Sequence, residues 1–210
     1  HNVITPGMWD VDFQTAVAQA EVEDRNCKGA YYNIRFGVED GKDFVIATTR
    51  PEMLAACIAV VAHPDDERYK GYFGKNAITP LFYANVPILP STHADPEKGT
   101  GILMVCTFGD VADVEWWKLT TLPVKQIVGR NGTLLPVVFG DGPFISSHCN
   151  IAQTNYDQLV GLRLKKAKQK IVDLLSLSNS DVNSARSALV GEPDLIEHPV
   201  KFYEKGDTPV

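Results

Sequence analysis

Two aspartates near the middle of the chain, Asp110 and Asp113, have a sequence context that suits binding of a cationic group. The apolar segment 101–107 is predicted to be a strand, and residues 111–117 are predicted to begin a helix. Asp110 is then the N-cap and Asp113 lies in the first turn, where the helix dipole favours a carboxylate. A carboxylate in this position can hold a substrate ammonium group, such as the α-amine of an amino acid. The alternative is that both aspartates only cap the helix.

A second polar cluster, Thr48-Thr49-Arg50-Pro51-Glu52, ends another apolar segment. Pro51 biases its neighbour away from helix, so the two threonine hydroxyls are expected at the edge of a sheet, where they can line a pocket. The alternative is that the β-branched threonines simply favour a strand and that Arg50 pairs with Glu52 on the surface. The residues alone do not join this cluster to the aspartates.

Composition limits the class of protein that can carry these clusters. The chain has 210 residues, 44% hydrophobic and 22% charged, which is typical of a globular domain with one core. The net charge of −6 argues against a domain that holds nucleic acid by charge alone. Apolar stretches such as 57–62 are far shorter than the roughly 20 residues of a membrane helix. No signal peptide and no initiator methionine precede residue 1, and we expect a piece of a longer chain.

The cysteines and the basic residues each allow two interpretations. Four separate cysteines form no Cys-x-x-Cys pair, so buried reduced thiols are favoured over a zinc or redox motif. Cys106 could pair with His63 or His148 as a nucleophile, but a cysteine within an apolar strand is more often inert. The basic segment 163–170 lies on a helix predicted over 162–175, and it is either a solvated face or a local RNA contact.

Short strands separated by turn signals predict a β-rich mixed α/β fold, a closed or nearly closed barrel with a few peripheral helices. Two hairpins are expected, one around the turn 39–42 and one around Asn131-Gly132. The predicted strands are 9–13, 30–38, 44–49, 57–62, 85–89, 101–107, 124–128 and 133–138; the other predicted elements are a short helix over 64–71 and an exposed loop over 176–187.

Several motifs, taken together in their order, resemble the editing insert of valyl-tRNA synthetases over nearly the whole chain. An arginine in the threonine-rich motif and Glu52 rather than aspartate favour the valyl over the isoleucyl and leucyl enzymes. The motifs are Trp9-Asp-Val-Asp-Phe-Gln-Thr-Ala-Val17, Ala20-Glu-Val-Glu23, Thr48-Thr-Arg-Pro-Glu52, His63-Pro-Asp-Asp-Glu-Arg-Tyr69, Gly99-Thr-Gly101 and His198-Pro-Val-Lys-Phe-Tyr-Glu-Lys-Gly-Asp207.

The resemblance implies hydrolysis of threonine wrongly attached to valine tRNA. Threonine replaces a methyl group of valine with a hydroxyl of similar size, and a hydrophobic pocket separates the two only about a hundredfold. A second pocket that binds the hydroxyl would leave its polar groups unpaired with valine. By the resemblance, Asp113 grips the substrate α-amino group and acts in catalysis. The substrate-binding residues that it implies are Thr48, Thr49, Arg50, Asp110 and Thr107, with Gly99, Thr100 and Gly101 approaching the terminal adenosine.

The resemblance also implies the domain's partners and setting. The partners are the 3′ acceptor end of valine tRNA and the catalytic domain of the parent synthetase, in the cytoplasm and without a membrane. The chain is then a single editing domain over 1–210, with 1–20 and 196–210 as connecting strands. No metal or cofactor is implied for this domain. ATP and magnesium belong to the parent enzyme, and the ATP-binding signatures of class I synthetases are absent here.

The reaction expected is ester hydrolysis by positioning of substrate and water, with help from the ribose hydroxyl of the substrate. Departures from the family pattern are Met104 and Cys106, where lysine and threonine are common, Lys98 in place of an aromatic residue, and Gly109-Asp110-Val111 in place of His-Asp-Pro. Two alternatives remain. One is the editing domain of a sister synthetase, such as the isoleucyl enzyme, and the other is a module that docks the acceptor end without hydrolysis.

Overall fold

A computed structural model describes residues 7–106, 122–177 and 186–210 of the chain. Nine strands and two α-helices lie in these ranges. The strands are β1 (Met8–Asp10), β2 (Thr15–Val17), β3 (Val22–Val38), β4 (Asp43–Thr48), β5 (Ala59–Ala62), β6 (Asn76–Ile78), β7 (Asn85–Pro90), β8 (Ile102–Val105) and β9 (Asp194–Tyr203), and the helices are α1 (Cys149–Asp157) and α2 (Leu164–Leu177).

The hairpin of β3 and β4 leads into the threonine motif and forms one end of the main sheet. Tyr32–Gly37 pairs antiparallel with Asp43–Thr48. Gly41 closes the turn at φ +86°, a conformation that glycine adopts without steric cost. The side chains alternate, with Ile34 and Ile46 fully buried, so one face of the hairpin covers the core. The predicted hairpin is therefore confirmed.

The other strands curl the sheet almost into a barrel. The hydrogen-bonded order is β4-β3-β6-β7-β5-β8, and all pairs are antiparallel except β5 with β7. The end strands β4 and β8 lie in contact, but no ladder joins them within the described ranges. The expected β-rich mixed fold is confirmed, as a curled sheet rather than a closed barrel. The first half of β3 leaves the core and pairs with β9.

The two α-helices pack on the core. α2 buries Ala167, Ile171 and Leu175 completely, as the apolar spacing predicts for one helical face. α1 was not predicted, because its mostly polar sequence buries only Ala152 and Tyr156 and carries little periodic signal. Tyr156 anchors it beside the stacked rings of Phe82 and Phe139. Within the described residues, no helix has the length and apolar character needed to cross a membrane.

Two local predictions in the first third of the chain need correction. The strand expected over 9–13 is instead a hairpin of β1 and β2, because the Asp10 carboxylate accepts the Phe13 N–H at 2.6 Å and turns the chain. The helix expected over 64–71 is a series of turns ending in the 3-10 helix Lys70–Tyr72. There the Asp66 carboxylate binds the Arg68 N–H at 3.1 Å, a local bond that competes with helix formation.

The hairpin predicted around Asn131-Gly132 is correct in its turn but not in its strands. Gly132 has φ +75°, and the N–H of Gly129 bonds the Thr133 carbonyl at 2.8 Å. Beyond the turn a single bridge, Val128 with Leu134, replaces two regular strands. Most of the loop predicted over 176–187 lies outside the described residues.

Candidate functional site

The threonine motif occupies the end of β4, as expected. Thr48 is the last residue of the strand, and its Oγ1 accepts the N–H of Arg50 at 3.0 Å, which turns the chain out of the sheet. Both threonines are half-buried and Arg50 is exposed. Pro51 then begins the fully buried 3-10 helix Pro51–Ala56. The hydroxyls and the guanidinium thus stand at a polar edge above a buried segment.

The Gly99-Thr100-Gly101 turn lies directly beside this edge. A β-carbon built on Gly99 would stand 2.8 Å from the Cβ of Ala47, the residue before Thr48. Gly99 and Gly101 both have positive φ, +55° and +79°, so the turn requires glycine for its backbone as well as for its contacts. This close approach brings together the threonine motif and the glycine turn, two of the motifs that the family resemblance assigned to one site.

Residues 66–69 support the glycine turn from the neighbouring segment. The Asp66 carboxylate, 5% exposed, accepts hydrogen bonds from Nε and Nη2 of Arg68 at 2.9 and 2.7 Å. These bonds hold the pKa of Asp66 below its usual value. Nη2 of Arg68 also donates to the Pro96 carbonyl at 2.9 Å, and the Tyr69 hydroxyl donates to the Thr100 carbonyl. The sequence motif indicated these residues without assigning them a role.

Glu52, also within the threonine motif, is buried rather than paired on the surface. It is 5% exposed, and its Oε2 has no hydrogen-bond partner in the described part of the chain. The 3-10 helix that carries it packs against α2. Burial raises the pKa of Glu52, and the nearby charges of Lys168 and Arg50 offset part of this effect. The Arg50–Glu52 surface pair considered as an alternative is therefore wrong.

A buried lysine, Lys125, lies near Cys106, the residue that follows the C-terminal end of β8. Lys125 is 7% exposed, and its Nζ donates to the Cys57 carbonyl at 2.9 Å. Burial lowers the pKa of Lys125, while Cys57 and Cys106 nearby act in the opposite direction. Met104 and Cys106, two of the departures from the family pattern, are themselves buried in the core. Sequence reasoning missed Lys125, although a lysine within the predicted strand 124–128 was the available signal.

Three predicted site residues, Thr107, Asp110 and Asp113, lie in the range 107–121, outside the described residues. Their roles stay predictions.

The histidines considered as partners for Cys106 make other contacts. Nδ1 of His63 accepts the N–H of Asp65 at 3.1 Å, and Nδ1 of His148 lies 3.0 Å from Oγ of Ser147. In the described ranges, no group of three or more His, Cys, Asp or Glu side chains is placed to hold a metal ion. The polar edge offers hydroxyls, a guanidinium and turn backbone, which can bind and orient a polar substrate and a water.

The chain is similar in sequence to one segment of valine–tRNA ligases. No family model matches the chain. It is 47% identical over 205 residues to a valine–tRNA ligase of Thermobifida fusca and 45% identical over 210 residues to one of Leifsonia xyli. The matches cover 98% and 100% of the chain but 22% and 23% of those ligases, so the chain spans about a fifth of the length of these relatives. A solved ternary complex of an Agrobacterium radiobacter LeuRS with tRNA and LeuAMS is 24% identical, with a TM-score of 0.39 over 63% of the chain and 19% of the LeuRS.

Proposed function

Because the chain belongs to the valine–tRNA ligase family, as a homologue of one segment of those enzymes, we propose that it forms their editing site. In this proposal it hydrolyses the ester that joins threonine to valine tRNA. The observation that carries the proposal is the approach of Gly99 to Ala47, since it sets the Gly99–Gly101 turn beside Thr48 and Thr49. One edge then offers hydroxyls for an amino acid and a backbone turn for the nucleoside that carries it.

Selectivity follows from the polar character of this edge. The threonine hydroxyl can exchange hydrogen bonds with Thr48 and Thr49, which are half-buried at the end of β4. Valine cannot make these bonds, so its binding would leave desolvated polar groups unpaired. Arg50 forms the exposed wall of the pocket, and Asp113 holds the substrate ammonium group. Asp110 and Thr107 complete the proposed binding set.

The chemical step is the addition of water to an ester. The water oxygen bonds to the carbonyl carbon, the bond from that carbon to the ribose oxygen breaks, and the ribose oxygen takes a proton. Threonine and uncharged tRNA are the products. The neighbouring ribose hydroxyl assists the water, and the protein contributes orientation and charge stabilisation rather than a covalent nucleophile.

The partners follow from the same proposal. The substrate is the 3′ acceptor end of valine tRNA, bound locally, because a net charge of −6 does not favour RNA over the whole surface. Residues 1–20 and 196–210 connect this domain to the catalytic domain of a cytoplasmic ligase. ATP and magnesium act in that ligase's activation of valine and have no part in the hydrolysis.

A deacylation panel tests the proposal. Threonyl- and valyl-tRNA on valine tRNA, and valyl-tRNA on isoleucine tRNA, are incubated with the chain and with the ligase that carries it. Preferential release of threonine supports the proposal, with tRNA alone as the control for spontaneous hydrolysis. Preferential release of valine from isoleucine tRNA would assign the chain to a sister enzyme. Tight tRNA binding without any release would leave the docking module as the function.

A further inference from the structure

We propose that Asp66, Arg68 and Tyr69 are positioning residues that fix the Gly99–Gly101 turn in the conformation that receives the terminal adenosine of the tRNA. They act through the turn and do not touch the reacting ester. The inference rests on the proposed function and adds to it the group of residues that determines how well the nucleoside is held.

The first element of the device is a buried anchor for Arg68. The Asp66 carboxylate is held below the surface and binds the guanidinium through two hydrogen bonds, at 2.9 and 2.7 Å. Such a forked contact fixes the orientation of the guanidinium plane as well as its position. From there Nη2 reaches the Pro96 carbonyl at 2.9 Å. The ion pair therefore ties the loop that leads into the turn to a rigid point.

The second element is the fit of Gly101 against this ion pair. A β-carbon on Gly101 would stand 2.4 Å from Nη2 of Arg68 and 3.1 Å from both Oδ2 of Asp66 and the Pro96 carbonyl oxygen. The ion pair thus occupies the space beside the last residue of the turn. Gly99 at the other end rests on Ala47. The turn is held at both ends by atoms that leave no room for a side chain.

The third element is the Tyr69 hydroxyl, which donates to the Thr100 carbonyl in the middle of the turn. The ordinary tyrosine pKa near 10 keeps the hydroxyl protonated at neutral pH, and burial raises the pKa of Tyr69 further, so the hydroxyl remains a donor. The Arg68 guanidinium lies 5.2 Å from the centre of the Tyr69 ring. The contacts therefore fix the peptide plane that follows Thr100 and connect it to the ion pair.

Tyr69→Phe tests this device, because it removes the hydroxyl and keeps the ring. The matched control is Tyr72→Phe. Tyr72 is half-buried like Tyr69, lies 6.4 Å from it between ring centres, and donates to a backbone carbonyl at the opposite end of β4, that of Asp43 at 3.1 Å. Each substitution removes one equivalent hydrogen bond, but only the first reaches the turn.

Two readouts separate positioning from a general loss of structure. The first is the ratio of Kd values for acceptor-stem RNA with and without its terminal adenosine, which needs no hydrolysis. The second is the effect of each substitution on KM and on kcat, measured separately, for threonine release from threonyl-tRNA on valine tRNA. We expect Tyr69→Phe to weaken the preference for the terminal adenosine and to raise KM by about threefold to tenfold, the size of one hydrogen bond, with kcat nearly unchanged. Tyr72→Phe should leave both readouts at wild-type values.

Arg68→Lys provides a second variant, because lysine keeps the charge but cannot form the fork. It is expected to change both readouts in the same direction as Tyr69→Phe. The inference is overturned if neither Tyr69→Phe nor Arg68→Lys changes the adenosine preference, or if Tyr72→Phe changes it equally. Failure of the wild-type protein to release threonine would instead contradict the proposed function, and the RNA affinities would still decide the role of these residues.

Discussion

Gly99 packs against Ala47 so closely that a β-carbon on Gly99 would lie 2.8 Å from the Ala47 Cβ. This contact joins two segments that are distant in sequence, the end of β4 with its threonines and the turn before β8. The proposed site depends on it, because Ala47 immediately precedes Thr48 and Thr49 in the chain, so the contact sets the glycine turn next to the threonine motif.

Gly99→Ala should therefore lower the free energy of unfolding by more than the backbone strain of an alanine at positive φ. Gly142→Ala is a matched control, since Gly142 has φ +54° against +55° for Gly99 but has no atom within 4 Å of its built Cβ. Both variants carry the cost of a left-handed alanine, about 1 kcal/mol. Gly99→Ala adds a clash that is expected to cost another ~1–3 kcal/mol and to slow threonine release. Urea denaturation measures the free energy of unfolding of both variants. Equal losses of stability in the two variants would show that the contact of Gly99 with Ala47 is unimportant.

Glu52→Gln should change the dependence of stability on pH. Burial raises the pKa of Glu52, so its folded-state value lies above the unfolded value near 4.5. The stability contribution of the protonated form is present below pH 4.5 and is lost as pH rises through the folded pKa. The variant should therefore gain free energy of unfolding relative to wild type between pH 4 and 8. Glu67→Gln, at an exposed position, is the control. A difference in free energy of unfolding between Glu52→Gln and wild type that does not change with pH would contradict a raised pKa for Glu52.

Tyr156→Phe should destabilise the packing of α1. The buried Tyr156 hydroxyl donates to the Leu135 carbonyl at 2.5 Å, and removal of this bond is expected to cost ~1 kcal/mol. Burial raises the pKa of Tyr156 to about 12. The wild-type protein should then lose stability as pH rises from 10 to 12, and the variant should lose less. Melting temperatures from pH 7 to 12 test this, and parallel curves would contradict it.

Lys125→Met should make the protein more stable at neutral pH. Burial lowers the pKa of Lys125, so the unfolded chain binds more protons than the folded protein up to the unfolded pKa near 10.5. Wild-type stability should rise as pH increases from the folded-state pKa of Lys125 to the unfolded value near 10.5. The variant lacks this titrating group, so its stability should rise less over the same pH range. Lys165→Met, on the exposed face of α2, is the control. A loss of stability at pH 7 specific to Lys125→Met would mean that its bond to the Cys57 carbonyl outweighs desolvation.

Local patterns predicted the parts of the fold that local forces determine. The β3–β4 hairpin followed from alternation around a glycine turn, and α2 followed from the spacing of Ala167 and Ile171. The turns at 64–71 did not, because side-chain bonds such as Asp66 to the Arg68 N–H replace helical bonds. α1 was missed because its buried side chains are too few to give a period.

The site was predictable only in pieces. Each motif was recognisable, but the contact of Gly99 with Ala47 arises from the curl of the sheet, which no local pattern encodes. Similarly, Lys125 reaches the Cys57 carbonyl from a distant segment. Only the resemblance to a family predicted that the separate motifs belong to one site; their spacing in the sequence could not.

The most direct test of the central claim is the rate constant for threonine release from threonyl-tRNA on valine tRNA, with wild type beside Asp113→Ala. Asp173→Ala, an exposed position on α2, is the control. Loss of the bonds to a charged ammonium group predicts a fall of about tenfold to a hundredfold in Asp113→Ala, with valyl-tRNA left intact by the wild type. An unchanged rate in Asp113→Ala would contradict the role of this carboxylate in the editing site.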